Sequence, residues 1–380
     1  MPGVSSAASS SPTQGVAFKD GGSSTGWIDF DFQDGKRIFI LAKINGHDTE
    51  VLLATGLPIP DIDKNFAASI GLPLTQTSNG KGTAETPSEL QIQIGNLILP
   101  NTPASVVDFG PLAKRIGHPL PLLLGDAAFG NLVVDIDFAH HRIAFRDPSS
   151  QIKLTDAVEI PLTRAENEHL VPVSIEGEPP AEFELGLGNS SEMLIYQPYY
   201  ESHKLLENRK LSKRQAAGSG GFVVETVATL HQAKFAGVTL TNMPAAFIPT
   251  SIAGTTSTMI SGDIGLPVLT RFRLVIDYPH DRLYAVPYAD AAQAPLPKDR
   301  LGLVLKKDDA TFTVQFVAPD SPSQTAGFKV GDKITKIDGK QPTAWTETSI
   351  VDLKYGVNGS SLGFTMQDGN VRHVKLADYF

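Results

Sequence analysis

The carboxyl groups that could do acid–base chemistry lie beside two related segments of this sequence. Residues 51–58 read Val-Leu-Leu-Ala-Thr-Gly-Leu-Pro, and residues 183–188 read Phe-Glu-Leu-Gly-Leu-Gly. Two carboxyl groups that share one proton around a water molecule form an acid–base pair. Glu184 would share a strand face with the first glycine of its segment, but the other segment offers it no carboxyl partner. Asp126 and Asp263 flank two apolar-glycine steps at unequal positions, so we expect them to be surface or hydrogen-bonded turn residues.

These segments belong to an internal repeat that covers residues 36–147 and 168–288. Each copy opens with an apolar strand and a two-residue turn, Asn45-Gly46 or Glu176-Gly177, which favours a β-hairpin. Each copy closes with a similar hairpin in which Asp137 or Asp277 is expected to stabilise the turn. A repeat of this length predicts two homologous β units and not a solenoid. The pattern also predicts short helices near residues 64–70 and 198–205.

Composition narrows the classes of protein further. The chain has 380 residues, 41% hydrophobic and 19% charged, and its 34 Gly and 27 Pro favour many short strands joined by turns. A net charge of −9 argues against nucleic acid and anionic membranes as partners. The absence of cysteine excludes disulfides, thiolate catalysis and Cys-ligated zinc. No apolar stretch is long enough to predict a membrane span.

The doubled order of parts resembles the bacterial retropepsin-like aspartic proteases, in which two pepsin-like lobes lie in tandem. The resemblance covers roughly residues 27–290 and includes the signature strands, the glycine-rich stretches, the apolar-glycine steps and the closing hairpins. In that family each lobe supplies one Asp-Thr-Gly turn. The two aspartates activate a water molecule, the threonines hydrogen-bond across the lobes, and a flap closes over the peptide.

The resemblance implies that the active-site positions of this chain are vacated. The matching positions are Ala54, Thr55, Gly56, Gly186, Leu187 and Gly188. The flap and cleft would include Gly80, Lys81, Gly82, Gly218, Ser219 and Gly220. Loss of one acid–base partner costs about 10²–10⁴ in rate. Since both aspartates are missing, we expect no aspartic-protease activity.

Two explanations of the vacated positions stay open: a natural pseudoprotease that binds peptides, or an engineered inactivation of a working enzyme. We favour natural loss, because Gly186 and Leu187 depart from the motif as well as Ala54. The rival function is an aspartic endopeptidase of the same family that uses an unrecognised acid. In a third interpretation the lobes are only a structural platform for the last part of the chain.

The last 80 residues resemble a bacterial PDZ domain. The matching segments are Ala-Gly-Phe-Lys-Val-Gly-Asp at residues 326–332 and Ile-Thr-Lys-Ile-Asp-Gly at residues 334–339. PDZ domains bind an extended C-terminal peptide by adding it to a sheet edge, and backbone amides receive the terminal carboxylate. The resemblance places the carboxylate loop at Leu301, Gly302, Leu303 and Val304, with a helical wall at residues 348–353. In the alternative interpretation Leu301 and Leu303 fill the core and the groove is closed.

The sequence therefore predicts a mainly β chain with two tandem pepsin/retropepsin-like β-barrel lobes and a C-terminal α+β PDZ domain. The expected boundaries are a disordered lead-in at 1–26, lobes at 27–148 and 157–288, a linker at 289–299 and the PDZ domain at 300–380. The expected partners are peptides or protein C-termini. No cofactor or metal is predicted, because the histidines in the closing hairpins lack ligand spacing. The resemblance suggests an exported or periplasmic protein, although residues 1–26 lack a signal-peptide pattern.

Overall fold

The computed structural model describes residues 15–78, 83–87, 89–150, 152, 154–165, 168–218, 221–253 and 257–380. Three segments are named by their residues below: the first unit (27–148), the second unit (157–288) and the C-terminal unit (300–380). In the described part of the chain, residues in strands far outnumber residues in helices, so the prediction of a mainly β protein is confirmed.

Short strands and short helices alternate along the chain. Before residue 148 the strands are β1 (Ala17–Phe18), β2 (Ile28–Asp29), β3 (Asp31–Gln33), β4 (Arg37–Ile44), β5 (His47–Leu53), β6 (Asp61–Asp63), β7 (Leu74–Ser78), β8 (Thr83–Pro87), β9 (Leu90–Ile94), β10 (Leu97–Thr102), β11 (Ser105–Val107), β12 (Leu122–Leu124), β13 (Val133–Asp137) and β14 (Arg142–Arg146). The second unit contains β15 (Val158–Pro161), β16 (Thr163–Ala165), β17 (Glu168–Ile175), β18 (Ala181–Gly186), β19 (Met193–Tyr196), β20 (Ser212–Gly218), β21 (Gly221–Phe235), β22 (Val238–Ile248), β23 (Gly262–Gly265), β24 (Phe272–Asp277) and β25 (Arg282–Pro287). The C-terminal unit contains β26 (Leu303–Lys307), β27 (Phe312–Val317), β28 (Lys333–Ile337), β29 (Ser361–Met366) and β30 (Val371–Lys375). The α-helices are α1 (Lys64–Ser69), α2 (Gly110–Ile116), α3 (Asp126–Phe129), α4 (Gln197–Ser202), α5 (Thr250–Ala253), α6 (Leu266–Leu269), α7 (Pro322–Thr325) and α8 (Glu347–Asp352).

The helices predicted near residues 64–70 and 198–205 are present as α1 and α4, and the helical wall predicted at 348–353 is present as α8. Helix α1 begins where the Asp63 carboxylate accepts hydrogen bonds from the amides of Asn65 and Phe66. Helix α8 begins with a reciprocal capping box between Thr346 and Ser349. Local capping chemistry therefore sets both starts.

The two halves of the internal repeat fold with the same strand pairing. In the first unit, β12 runs parallel to β5 and antiparallel to β6, and β6 runs parallel to β11. In the second unit, β23 runs parallel to β18 and antiparallel to β19, and β19 runs parallel to β22. Both opening hairpins turn through two residues with positive φ, 49° and 87° at Asn45-Gly46 and 55° and 86° at Glu176-Gly177. These values are typical of the tight hairpin turn that the sequence predicts.

A shared sheet joins the first and second units. Its strand order is β15-β25-β24-β13-β14-β2, and the units meet where β13 pairs antiparallel with β24. The fully buried Asp135 on β13 accepts hydrogen bonds of 2.9 Å from Arg273 Nε and of 3.2 Å from Arg146. Asp137 and Asp277 stabilise the closing turns as predicted, each lying 2.8 Å from Nδ1 of the histidine three residues later.

The segment before residue 27 departs from the expected disordered lead-in over its described part. Strand β1 pairs with β10, and Ser24 forms a bridge with Arg146. Val16 and Phe18 pack against the main core. The prediction of disorder rested on the Ser- and Gly-rich composition and overlooked these two apolar side chains. Their burial offsets the entropy cost of ordering the backbone.

The C-terminal unit is a five-stranded antiparallel sheet in the order β26-β27-β28-β29-β30, with its own apolar core. It packs on both other units. Tyr379 and Phe380 join an apolar cluster with second-unit residues that include Tyr196 and Ile248. On the other side, α8 contacts the first unit through a 2.7 Å ion pair between Asp352 and Lys36.

The segment between the second and the C-terminal unit is held against the second unit. Arg271 NH1 donates to the carbonyl of Ala291 at 2.7 Å, and NH2 donates to that of Pro295 at 3.2 Å. The buried arginine therefore anchors the expected linker.

Candidate functional site

Two matching segments of the internal repeat meet at the contact between the first and second units. We call residues 54–56 and 186–188 the motif junction. An ideal Cβ on Gly188 would lie 3.2 Å from Cβ of Ala54, so the backbones of the two turns approach closely. The junction brings together two segments that are 132 residues apart in sequence, as the resemblance implies, and places a methyl group where they touch.

Glycines in the neighbouring strands make room for the two turns. A Cβ on Gly125, directly after β12, would lie 2.4 Å from the carbonyl oxygen of Leu57. A Cβ on Gly265, at the end of β23, would lie 1.9 Å from the carbonyl oxygen of Ser191. Both distances are impossible for a real side chain, so each apolar-glycine step serves the turn packed over it.

Thr55 connects the two units through its hydroxyl group. The side chain is only 4% exposed. Its hydroxyl donates to the carbonyl of Leu185 and accepts a 3.1 Å hydrogen bond from the amide of Leu187. The second unit has a fully buried Leu187 at the matching position, which offers no hydroxyl in return. The connection between the turns is therefore one-sided.

The space beside Gly186 is filled by the carboxylate of Asp263. An ideal Cβ on Gly186 would lie 2.1 Å from Asp263 Oδ1, so a side chain at 186 and the present Asp263 rotamer exclude each other. Asn189 Nδ2 donates to the same oxygen at 3.1 Å. Asp263 pairs in register with Glu184 on the adjacent parallel strand, and Glu184 accepts a 2.8 Å hydrogen bond from the Tyr196 hydroxyl. The expectation that Asp263 is a simple turn residue is therefore wrong, because it lies within β23 and faces the motif junction.

Asp263 belongs to a group of four carboxyl groups, the acidic cluster: Asp126, Glu168, Glu184 and Asp263. Burial, followed by the charge of Glu184, raises the pKa of Asp263 to about 7. Burial and the charges of Glu184 and Asp126 raise the pKa of Glu168 to about 7. Burial raises the pKa of Asp126 to about 6, against the opposing effect of Arg164. Near neutral pH the cluster therefore holds both protonated and ionised carboxyl groups.

The acidic cluster does not form a metal site by its geometry: within the described ranges, no group of three or more His, Asp or Glu side chains is placed to hold a metal ion. Gly80, Lys81, Gly82, Ser219 and Gly220, which were assigned to a flap, lie outside the described residues. Gly218 ends β20, which pairs with the long strand β21.

The second candidate site is the edge of the C-terminal sheet along β26. In the described structure β26 is an edge strand that pairs with β27, and α8 lies close to it. Leu301 and Leu303 are buried in the core of the unit, whereas Val304 and Leu305 are half-buried. The four residues assigned to a carboxylate loop therefore lead into an edge strand beside a helix.

The loop before β26 is shaped by Gly302 and bound by Asp299. Gly302 has φ of +68°, and a Cβ there would lie 2.2 Å from Cβ of Ser321. Asp299 Oδ1 accepts hydrogen bonds from the amides of Leu301 at 2.9 Å and Gly302 at 2.8 Å. Sequence reasoning missed Asp299, although a carboxyl residue two positions before a turn is a recognised signal for this type of capping.

Comparison with known proteins identifies the last part of the chain. Residues 292–367 match the family model described as PDZ domain. The chain therefore contains a PDZ domain, which confirms that prediction and supports a peptide-binding role. A search of curated proteins found no match to the chain. Within the described residues, no helix is long and apolar enough to cross a membrane.

Proposed function

From the PDZ domain at residues 292–367, we propose that this protein binds extended peptide segments along β26. We further propose that residues 27–148 and 157–288 are two aspartic-protease-like lobes that no longer catalyse hydrolysis and that hold the PDZ domain in place. The observation that carries the proposal is the edge strand β26, which stands beside α8 and pairs only with β27 in the described structure. A peptide that adds to such an edge gains main-chain hydrogen bonds with little demand on its sequence.

The matched strand pairing of the two units supports the assignment of lobes. Each unit places its motif at the end of a strand that runs parallel to the strand of the apolar-glycine step. The Thr55 hydroxyl spans the two turns, which is the role that the family resemblance gives to threonine. These are similarities of arrangement, and the assignment to the family is our proposal.

The motif junction supports the absence of aspartic-protease chemistry. That chemistry needs one carboxylate from each turn, so that the two can share a proton around a water molecule. The first turn supplies the methyl group of Ala54, and the second supplies Gly186 and Gly188. The carboxylate that lies against Gly186, that of Asp263, comes from the second unit.

Peptide binding is tested on the full chain with a random decapeptide library. Enriched peptides are then followed by amide hydrogen exchange. We expect slower exchange in β26 and α8, with β30, on the opposite edge of the sheet, as the internal control. Failure of any peptide to bind, or protection confined to residues 54–56 and 186–188, would overturn the proposal.

A second candidate function is peptide hydrolysis that uses Asp263 as the acid of the second unit. It is favoured by one observation: the Asp263 carboxylate occupies the space that a side chain at position 186 would fill. A carboxyl group with a pKa of about 7 is suited to donate and accept a proton near neutral pH. Cleavage of a peptide library by the unaltered chain, abolished in Asp263→Asn, would establish this function in place of the non-catalytic one.

Restoring the family motif is the complementary experiment. The substitutions Ala54→Asp, Gly186→Asp and Leu187→Thr need Asp263→Val as a fourth change, because the present carboxylate leaves no room at 186. Cleavage by the four-fold variant but not by the unaltered chain would support a lost peptidase cleft. The matched control carries Asp263→Val alone.

A further inference from the structure

The loop at the start of β26, where a peptide groove is proposed, already contains a carboxylate that belongs to the chain itself. Asp299 Oδ1 lies 2.9 Å from the amide nitrogen of Leu301 and 2.8 Å from that of Gly302. These are the amides that the carboxylate-loop assignment offers to a peptide's C-terminus. A charged acceptor forms stronger hydrogen bonds to amides than a neutral one, so the internal carboxylate competes directly with a terminal one.

Two of the cations around this loop are also paired within the chain. Arg300 Nε donates to Asp378 Oδ1 at 2.7 Å, and its NH1 donates to the carbonyl of Gly356 at 3.2 Å. Lys298 Nζ lies 3.6 Å from the other oxygen of Asp378. The two positive side chains that flank Asp299 in sequence therefore have a carboxylate partner before any ligand arrives.

The rest of the groove does not depend on a terminal carboxylate. Strand β26 offers its outer edge to a new strand, and Val304 and Leu305 are half-buried beside it. Strand addition uses the backbone groups of the ligand, which an internal segment supplies as well as a chain end does. An internal segment also brings no negative end group toward Asp299.

We propose that Asp299 is a specificity-determining residue that directs the β26 groove toward internal extended segments of proteins and against free C-termini. This inference rests on the proposed function, since it assumes that the groove binds peptides. Asp299 acts here as a built-in occupant of the carboxylate position, and its charge repels a second carboxylate.

The test uses the full chain and random decapeptides presented in two ways: with free C-termini, or as a bridge between two folded carriers. We expect the unaltered chain to enrich binders from the bridged library. Each enriched sequence is then synthesised with a free carboxylate and with a C-terminal amide, and the two affinities are compared. The unaltered chain should bind the amide at least as tightly as the acid, whereas Asp299→Gly should bind the acid at least tenfold more tightly than the amide.

The variant Asp309→Asn, in the exposed turn after β26, serves as the matched control for removal of one negative charge from the same domain. It should keep the preference of the unaltered chain. A tenfold preference of the unaltered chain for the free acid would overturn the role of Asp299 and leave the peptide-binding proposal standing. The role of Asp299 would also be overturned if the ratio of the affinities for the acid and the amide were the same in the unaltered chain and in folded Asp299→Gly. If neither chain enriches any peptide, while circular dichroism shows both folded, the proposed function itself fails and this inference fails with it.

Discussion

Replacement of Thr55 by valine tests whether the motif junction holds the two units together. Valine has nearly the shape of threonine, but it can neither donate to the Leu185 carbonyl nor accept from the Leu187 amide. Because Thr55 is only 4% exposed, both backbone groups would stay buried without that partner. A buried polar group left unsatisfied costs about 1–3 kcal/mol, and one of the two can relax toward another acceptor or water. We therefore expect a loss of about 2–4 kcal/mol in the free energy of unfolding.

The melting temperature turns this loss into a measurement. The two units span about 260 residues, and at about 2.1 cal/mol/K per residue their unfolding entropy is about 0.55 kcal/mol/K. The expected decrease in Tm is therefore about 4–7 °C in differential scanning calorimetry. Thr49→Val, at a half-buried position on β5, the strand that precedes Thr55, is the matched control and should shift Tm by less than about 1 °C. If Thr55→Val has the same Tm as the unaltered chain, the reasoning is refuted, because the hydrogen bonds of the Thr55 hydroxyl would then contribute nothing to the free energy of unfolding.

Three further outcomes are expected from the same structure. Gly186→Ala should lower the free energy of unfolding by about 1–3 kcal/mol, because its Cβ would lie 2.1 Å from Asp263 Oδ1; the double variant with Asp263→Ala should recover most of that loss, and simple additivity in the thermal melts would contradict the clash. Between pH 4 and pH 7 the folded chain binds more protons at Asp263 than the unfolded chain does, since the folded pKa is about 7 and the ordinary value is 3.8. This group therefore lowers stability as pH rises through that window. Asp263→Asn should gain stability relative to the unaltered chain from pH 4 to pH 8 in urea unfolding, and a constant difference across that range would disprove the shift. Phe380→Ala should cost about 3 kcal/mol at the contact with the second unit and speed proteolysis within residues 289–299, an effect that unchanged cleavage would rule out.

Much of the architecture follows from local patterns that are recognisable in the sequence. The Asn45-Gly46 and Glu176-Gly177 turns need φ > 0 at both residues, and the structure has it at both. The PDZ domain was predictable because several of its motif glycines, and Asp338, adopt the positive φ that tight turns require. Such signals involve only a few neighbouring residues, so they can be recognised in the sequence alone.

The acidic cluster shows which contacts could not be predicted from the sequence. Asp263 was expected to be a turn residue, because its distance from Gly265 does not match that of Asp126 from Gly125. The parallel register of β18 and β23 then brings its carboxylate over Gly186, 77 positions earlier in the chain. No local rule relates these two positions, since their contact exists only after both strands have paired.

The sequence by itself determined the repeat and the presence of a PDZ domain, because each of these is a matter of residue type and spacing. Tertiary structure alone decided that Asp263 fills the space beside Gly186 and how the PDZ domain sits on both units. The structure also revealed that the Asp299 carboxylate accepts hydrogen bonds from the amides of Leu301 and Gly302, although the position of Asp299 before a turn could have predicted them. The physical reason is that hydrogen bonds and close contacts depend on distances of a few ångströms, and folding sets these distances between residues that the sequence keeps far apart.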